Sequence, residues 1–165
     1  MSTQARTLEQ AKSVSPKIAH ERERARLGSQ ADRGSGWFYW IAGLSLAQSI
    51  LIQSGGSWSF VFGLWLTAGV DYVARDAAGS GQVLAWFLNA LVMATFVVFG
   101  YFARQEHRWA YLAGITAYAA DGALTVAARD WLGVAVHVLG LFFLWGGLAA
   151  VNKRRKLDQA STVTS

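Results

Sequence analysis

A chain of 165 residues that is 53% hydrophobic and 15% charged, with eight Trp, nine Phe and 17 Gly against a single proline, Pro16, is too apolar for an ordinary soluble domain and suits helices packed in lipid. It contains no cysteine, which excludes disulfides, a thiolate zinc site, a cysteine nucleophile and thioether-linked haem. The formal net charge of +5 divides into +3 over residues 1–35, −1 over 36–151 and +3 over 152–165, so basic groups flank an apolar block and no nucleic-acid partner is expected.

Residues 1–35 hold seven Lys/Arg and four Asp/Glu and have no apolar stretch of the kind a cleaved signal peptide needs. They read as a disordered basic cytoplasmic tail, in which 17–27 has the composition of a short charged surface helix. Apolar stretches follow at 37–54, 58–74, 83–103, 109–128 and 131–151. The last three are about 20 residues each, enough to cross roughly 30 Å of hydrocarbon. The first is slightly shorter but opens on Trp37, Phe38, Tyr39 and Trp40, an aromatic cluster suited to a membrane interface. The second is interrupted by Asp71, and its charge-free run 58–70 has a length typical of re-entrant or interfacial segments. The Gly/Ser-rich pieces 53–57 and 77–82 read as turns. Residues 152–165 form a second basic cytoplasmic tail, whose run Lys153, Arg154, Arg155 and Lys156 is a stop-transfer anchor and a candidate site for anionic lipid head groups.

Charge counting selects the topology. Five crossings divide the Lys/Arg residues nine to six, whereas four crossings, with 58–74 not crossing, place thirteen on the side of both tails and leave only Arg75 and Arg129 opposite. The expected fold class is therefore an all-α integral membrane protein: a transmembrane helical domain over 36–151, four spanning helices plus one re-entrant or interfacial helix, both termini cytoplasmic. Five spanning helices is the alternative. The short connections leave no room for a soluble catalytic domain and make neighbouring helices antiparallel. The pairs Gly43/Ala47, Ala110/Gly114 and Gly146/Ala150 place small residues one turn apart for close packing. A weak similarity between 37–58 and 109–131 admits a duplicated hairpin.

Chemistry is sought among polar residues within apolar segments, where an ionisable group costs about 2.5–3.5 kcal/mol and normally faces a partner inside the bundle. Asp121 and His137 each lie about eight residues, roughly 12 Å, from the turn at Arg129 and Asp130, and so stand at matching depth. Asn89 enters its segment on the same side, and Asp71 closes the ridge Gly63, Thr67, Asp71 on one helix face. These four residues, with Gln48 able to join by a hydrogen bond, form a candidate polar intramembrane cluster for a cation or proton relay. The same Asp and His serve equally as a structural tie between helices. His107 and His20 read as solvated, and His137 alone lacks a second intramembrane His for haem. No phosphate loop, paired metal-binding His or nucleophilic Ser elbow is present, so neither a catalytic residue nor a cofactor is expected.

The segments WFYWIAGLS (37–45), FARQEHRW (102–109), AYAADG (117–122) and DWLGVAVH (130–137) resemble a family of small polytopic bacterial membrane proteins of unknown function. That resemblance implies the bacterial inner membrane and carries over no activity. Two functions are then open. The first is a non-enzymatic scaffold or accessory protein that binds the lipid bilayer, further copies of itself or other membrane proteins. The second is a minimal proton- or cation-coupled transporter or channel using Asp71, Asn89, Asp121 and His137, which needs a homo-oligomer to enclose a path.

Overall fold

A computed structural model describes residues 3–54, 64–75 and 79–163. They form five α-helices: α1 (Thr3–Gln53), α2 (Trp65–Arg75), α3 (Ser80–Arg104), α4 (Arg108–Ala127) and α5 (Trp131–Val163), with no strand among the described residues. Most of the piece 53–57, the start of the second apolar stretch at 58–63, including Gly63 of the expected ridge, and part of 77–82 lie outside the described residues.

The two described hairpin turns close in the same way. Glu106 (φ 61°) and Arg129 (φ 58°) take the left-handed conformation directly beyond a helix end. The next amide in each case reaches back over the last turn, His107 N to Phe102 O at 3.1 Å and Asp130 N to Thr125 O at 3.0 Å. This satisfies carbonyls that would otherwise be orphaned. Asp130 then caps α5 by accepting the Gly133 amide at 3.0 Å.

α1 packs against α3 and α5, and α4 against α5 and α3, while α2 lodges among α3, α1 and α4. One stripe of α1 faces inward, from Leu27 and Ala31 through Phe38, Ile41 and Ala42 to Ser45, Gln48 and Ser49, at the three- and four-residue spacing of a single helical face. Apolar and small residues fill the half near the α3–α4 turn, where Phe38 packs on Phe96, Phe99 and Tyr111. Polar residues fill the half near the α4–α5 turn. α1 and α5 approach most closely at two glycines: a Cβ on Gly34 would stand 2.5 Å from Gly147 Cα. Of the small-residue pairs nominated from spacing, Ala110/Gly114 is buried, whereas Gly43 is exposed with nothing within 4 Å of its Cβ position. Spacing along one helix does not say which face meets a neighbour.

Residues 17–35 depart from the expected disordered tail. They continue α1 without a break and bury Leu27 and Ala31. α5 likewise continues past 151 to Val163. The two extensions run antiparallel and are joined by Lys153 Nζ to Glu23 Oε1 at 2.6 Å and Arg24 Nε to Asp158 Oδ1 at 3.1 Å. Opposite charges thus stand at matching register along the two extensions, beside the apolar core cluster that holds Leu27, Ala31 and Val151 and against which Leu157 packs.

Among the described residues two helices, over Gly81–Arg104 and Trp131–Ser161, are long and apolar enough to cross a membrane. α1 and α4 fall short of the same hydropathy because Ser45, Gln48 and Ser49 in one, and Thr116, Asp121 and Thr125 in the other, dilute their apolar runs.

Candidate functional site

α2 begins inside the bundle. The first turn of any helix has amides with no partner in the helix, and in apolar surroundings each must find an acceptor elsewhere. Here Leu64 N donates to Ser45 Oγ of α1 at 2.9 Å, Trp65 N to Asp121 Oδ2 at 2.9 Å and Leu66 N to Asp121 Oδ1 at 2.8 Å. Ser45 in turn donates to Ile41 O at 2.8 Å, and Thr67 Oγ1 donates to Leu64 O at 2.8 Å. A side chain from α4, far away in the sequence, thus does for α2 what an Asp immediately before a helix usually does.

Asp121 also meets His137, whose Nε2 lies 2.9 Å from Oδ2, and both are nearly inaccessible at 6% and 3% exposure. His137 Nδ1 is 2.8 Å from Gly133 O. A carbonyl only accepts, so Nδ1 carries hydrogen, and a single shared proton lies between Nε2 and the carboxylate. Tyr118 stacks on the imidazole at 4.4 Å between ring centres and 19° between planes. Two glycines make room for this stack: a Cβ on Gly122 would come 3.1 Å from His137 Cδ2, and one on Gly140 would come 2.6 Å from Tyr118 Cε1.

Asp71 and Asn89 form a second buried pair, with Asn89 Nδ2 donating to Asp71 Oδ1 at 2.6 Å and to Ser49 Oγ at 3.3 Å. Asn89 Oδ1 is buried with no hydrogen-bond partner among the described residues. Gln48 is buried on the α1 face between Ser45 and Ser49. The sequence-nominated residues are therefore brought into one polar half of the bundle but in two groups: Asp121 with His137 at the α2 N-terminus, and Asp71 with Asn89 six residues, about 9 Å, further along α2. Among the described residues no three His, Asp or Glu gather closely enough to hold a metal ion.

Two residues of the basic run at 153–156 engage acids at the opposite end. Lys153 holds Glu23, Arg154 holds the Glu106 carboxylate, and Arg155 Nη2 donates to Glu106 O at 2.9 Å; Lys156 is exposed. These contacts also brace Glu106 in its left-handed conformation. Sequence reasoning missed Ser45, Ser49 and Tyr118. The two serines stand with Gln48 at i, i+3 and i+4, a polar face in an apolar helix that was there to be read. The amides of Leu64, Trp65 and Leu66 have no signature in residue types.

No protein-family model matches the chain, and neither a curated protein nor a solved structure matches it.

Proposed function

We propose that the chain is a small multi-pass membrane protein in which α1, α3, α4 and α5 cross the bilayer, α2 is a re-entrant helix and both termini are cytoplasmic. It serves the bacterial inner membrane as a non-enzymatic scaffold or accessory protein, with lipids, further copies of itself or other membrane proteins as partners. The observation that carries this reading is the inverted distribution of polarity. Trp40, Phe87, Tyr101, Phe142 and Trp145 lie exposed while Asp71, Asn89, Asp121 and His137 are buried. Only 22% of the apolar window of α3 is covered by the rest of the protein. Water would penalise such a surface, whereas hydrocarbon solvates it.

The length of α2 supports its re-entrant assignment. Its 11 residues extend about 16 Å, half of what a crossing needs, and its N-terminus meets Ser45 two turns below the end of α1. The scaffold reading rests on Asp121: three donors converge on its two oxygens, a tie between helices rather than a vacancy for an ion. Transport is the second reading, favoured by the buried, unsatisfied Asn89 Oδ1.

Because the native chain has no cysteine, single cysteines at Ser54, Ala128, Gln105 and Ser161 report topology directly. An impermeant thiol reagent applied to intact cells labels Ser54→Cys and Ala128→Cys and spares the other two. Labelling of Ser161→Cys together with Ser54→Cys refutes the four-crossing arrangement. In proteoliposomes the wild-type protein passes no more protons or cations than empty vesicles do; a flux that Asp121→Asn or Asn89→Ala abolishes establishes transport instead.

A further inference from the structure

One face of α1 changes character along its length. Arg26, Gln30 and Arg33 stand at i, i+4 and i+7, and Trp37, Trp40 and Leu44 continue the same stripe toward the middle of the bundle. Against this stripe lie Phe142, Phe143 and Gly146 of α5. Between the two helices are two adjoining cavities, of about 310 Å³ beside Arg26 and Arg33 and about 380 Å³ beside Trp37, Trp40 and Leu44, and both are bounded by Arg33 and Phe143. Together they make one groove, basic at the end and apolar below. Glycine opens it: a Cβ on Gly36 would meet nothing within 4 Å, and one on Gly146 would meet only Gln30 Nε2, at 3.6 Å. Trp37 stacks on Phe143 at 4.8 Å and forms a rigid wall.

The basic residues at this end differ in what they have to do. Lys153 and Arg154 are paired with Glu23 and Glu106. Arg33 offers only its Nε to a backbone oxygen, Ser29 O at 3.4 Å, and Arg26 reaches Glu23, which already holds Lys153, at a longer 3.7 Å with its side chain 76% exposed. Positive charge without a close carboxylate partner thus stands at the mouth of the groove, on Arg26 and Arg33, as it does on Arg155 and Lys156 at the end of α5.

We propose that this α1–α5 groove binds one anionic phospholipid, with Arg26 and Arg33 holding the phosphate-bearing head group and Gly36, Trp40, Leu44 and Phe143 seating an acyl chain. The inference rests on the membrane reading above. Charge complementarity selects the occupant: a guanidinium pair suits phosphate oxygens, tryptophan beneath it occupies the interfacial level, and the apolar floor continues in the direction an acyl chain takes.

The test uses full-length protein in vesicles of equimolar phosphatidylglycerol and phosphatidylcholine with matched acyl chains, followed by mild detergent extraction and mass-spectrometric quantification of retained lipid. Wild-type protein retains phosphatidylglycerol preferentially. Arg26→Gln and Arg33→Gln each lower that preference, by about fivefold per arginine if each contributes what a basic residue near an anionic surface typically does. Gly36→Leu reduces retained lipid of both kinds while leaving the thermal transition in place, since the added side chain enters open space. Excess soluble glycerol phosphate leaves retention unchanged. The proposal is overturned if the double Arg variant keeps the full preference, if glycerol phosphate competes, or if Gly36→Leu dissociates an oligomer and spares the lipid, which makes the groove an interface between copies. Sedimentation of wild-type protein with the vesicles separates the two readings: a protein that stays soluble refutes membrane residence itself, whereas one that inserts without lipid preference refutes only the lipid site.

Discussion

Removing the Asp121 carboxylate strips three donors of their acceptor at once: the amides of Trp65 and Leu66 and Nε2 of His137. Average interhelical polar contacts in membranes, at about 0.6 kcal/mol each, would make the loss about 2 kcal/mol. That average includes side chains that find other partners when one is removed. Backbone amides at the mouth of a helix held in apolar surroundings have none within reach, so losing a helix cap, about 1 kcal/mol or more per amide, and a charge-assisted bond of about 2 kcal/mol is the better guide. Asp121→Ala is therefore expected to cost about 4 kcal/mol. Asp121→Asn is milder, about 2 kcal/mol, because the amide NH₂ can donate to a neutral His137 and its oxygen can accept from one of the two amides, leaving a single orphan. At roughly 2–4 °C per kcal/mol for a chain of this size, unfolding in detergent followed by near-UV circular dichroism should fall by roughly 8–16 °C and 4–8 °C. Hydrogen exchange at 64–67 should accelerate in the same order. Equal melting of all three proteins, or unchanged protection at 64–67 in Asp121→Ala, would show that the carboxylate does not hold α2 and would sink the tie.

Ser45→Ala leaves only the Leu64 amide without its acceptor and should cost about 1 kcal/mol, read as faster exchange at that amide with the Trp65 and Leu66 amides still protected. Gly34→Ala drives a methyl into Gly147 and should destabilise by about 1–3 kcal/mol, whereas Gly36→Ala, about half a turn away in open space, should be neutral or stabilising by up to about 1 kcal/mol. A melting comparison of that pair separates a close helix contact from a general glycine effect. Glu23 is held below the ordinary carboxylate value of 4.5 by its hydrogen bond to Lys153 and then by that residue's charge. Because the folded-state value is the lower one, the contact is fully present above 4.5 and is lost as the pH falls through the depressed value. A side-chain carboxyl titration by NMR should show the Glu23 midpoint returning toward 4.5 in Lys153→Ala, and an unmoved midpoint would refute the pairing.

Most helix positions could be read from hydropathy and turn residues. The apolar stretches 83–103, 109–128 and 131–151 fall within a few residues of α3, α4 and the first two-thirds of α5. The proximity of Asp121 and His137 also followed from counting residues back from a short hairpin. The chain ends did not follow. Glu23, Arg24, Lys153 and Asp158 look solvated in their own segments, and only the α1–α5 register turns them into ion pairs. Nor could the sequence separate Asp71 and Asn89 from Asp121 and His137. What divides them is the point at which α2 starts, and that point is set by amide groups common to every residue.

A bundle with an apolar exterior in lipid has little hydrophobic driving force to bring its helices together, so contacts between them must come from close approach and from polar groups that need one another. Each predominates here in its own half, although Tyr111 Oη also ties α4 to α1 by donating to Ala31 O at 2.7 Å. Toward the α3–α4 turn, Gly34 on Gly147 and Phe38 among aromatic rings bring backbones and ring faces into contact. Toward the α4–α5 turn the polar residues are needed because α2 begins in the bundle: its free amides require Ser45 and Asp121, Asp121 requires His137, and His137 fits because Gly122 and Gly140 leave space for it and for Tyr118. The buried Asp121 carboxylate, nominated from the sequence for a cation or proton relay, is the group that caps α2. It follows that deletion of α2 should relieve the requirement for Asp121: in a chain lacking 55–79, Asp121→Ala should cost less than it does in the full-length protein. An undiminished cost in that background would mean that the Asp121–His137 pair is stabilising in its own right, or serves a function of its own.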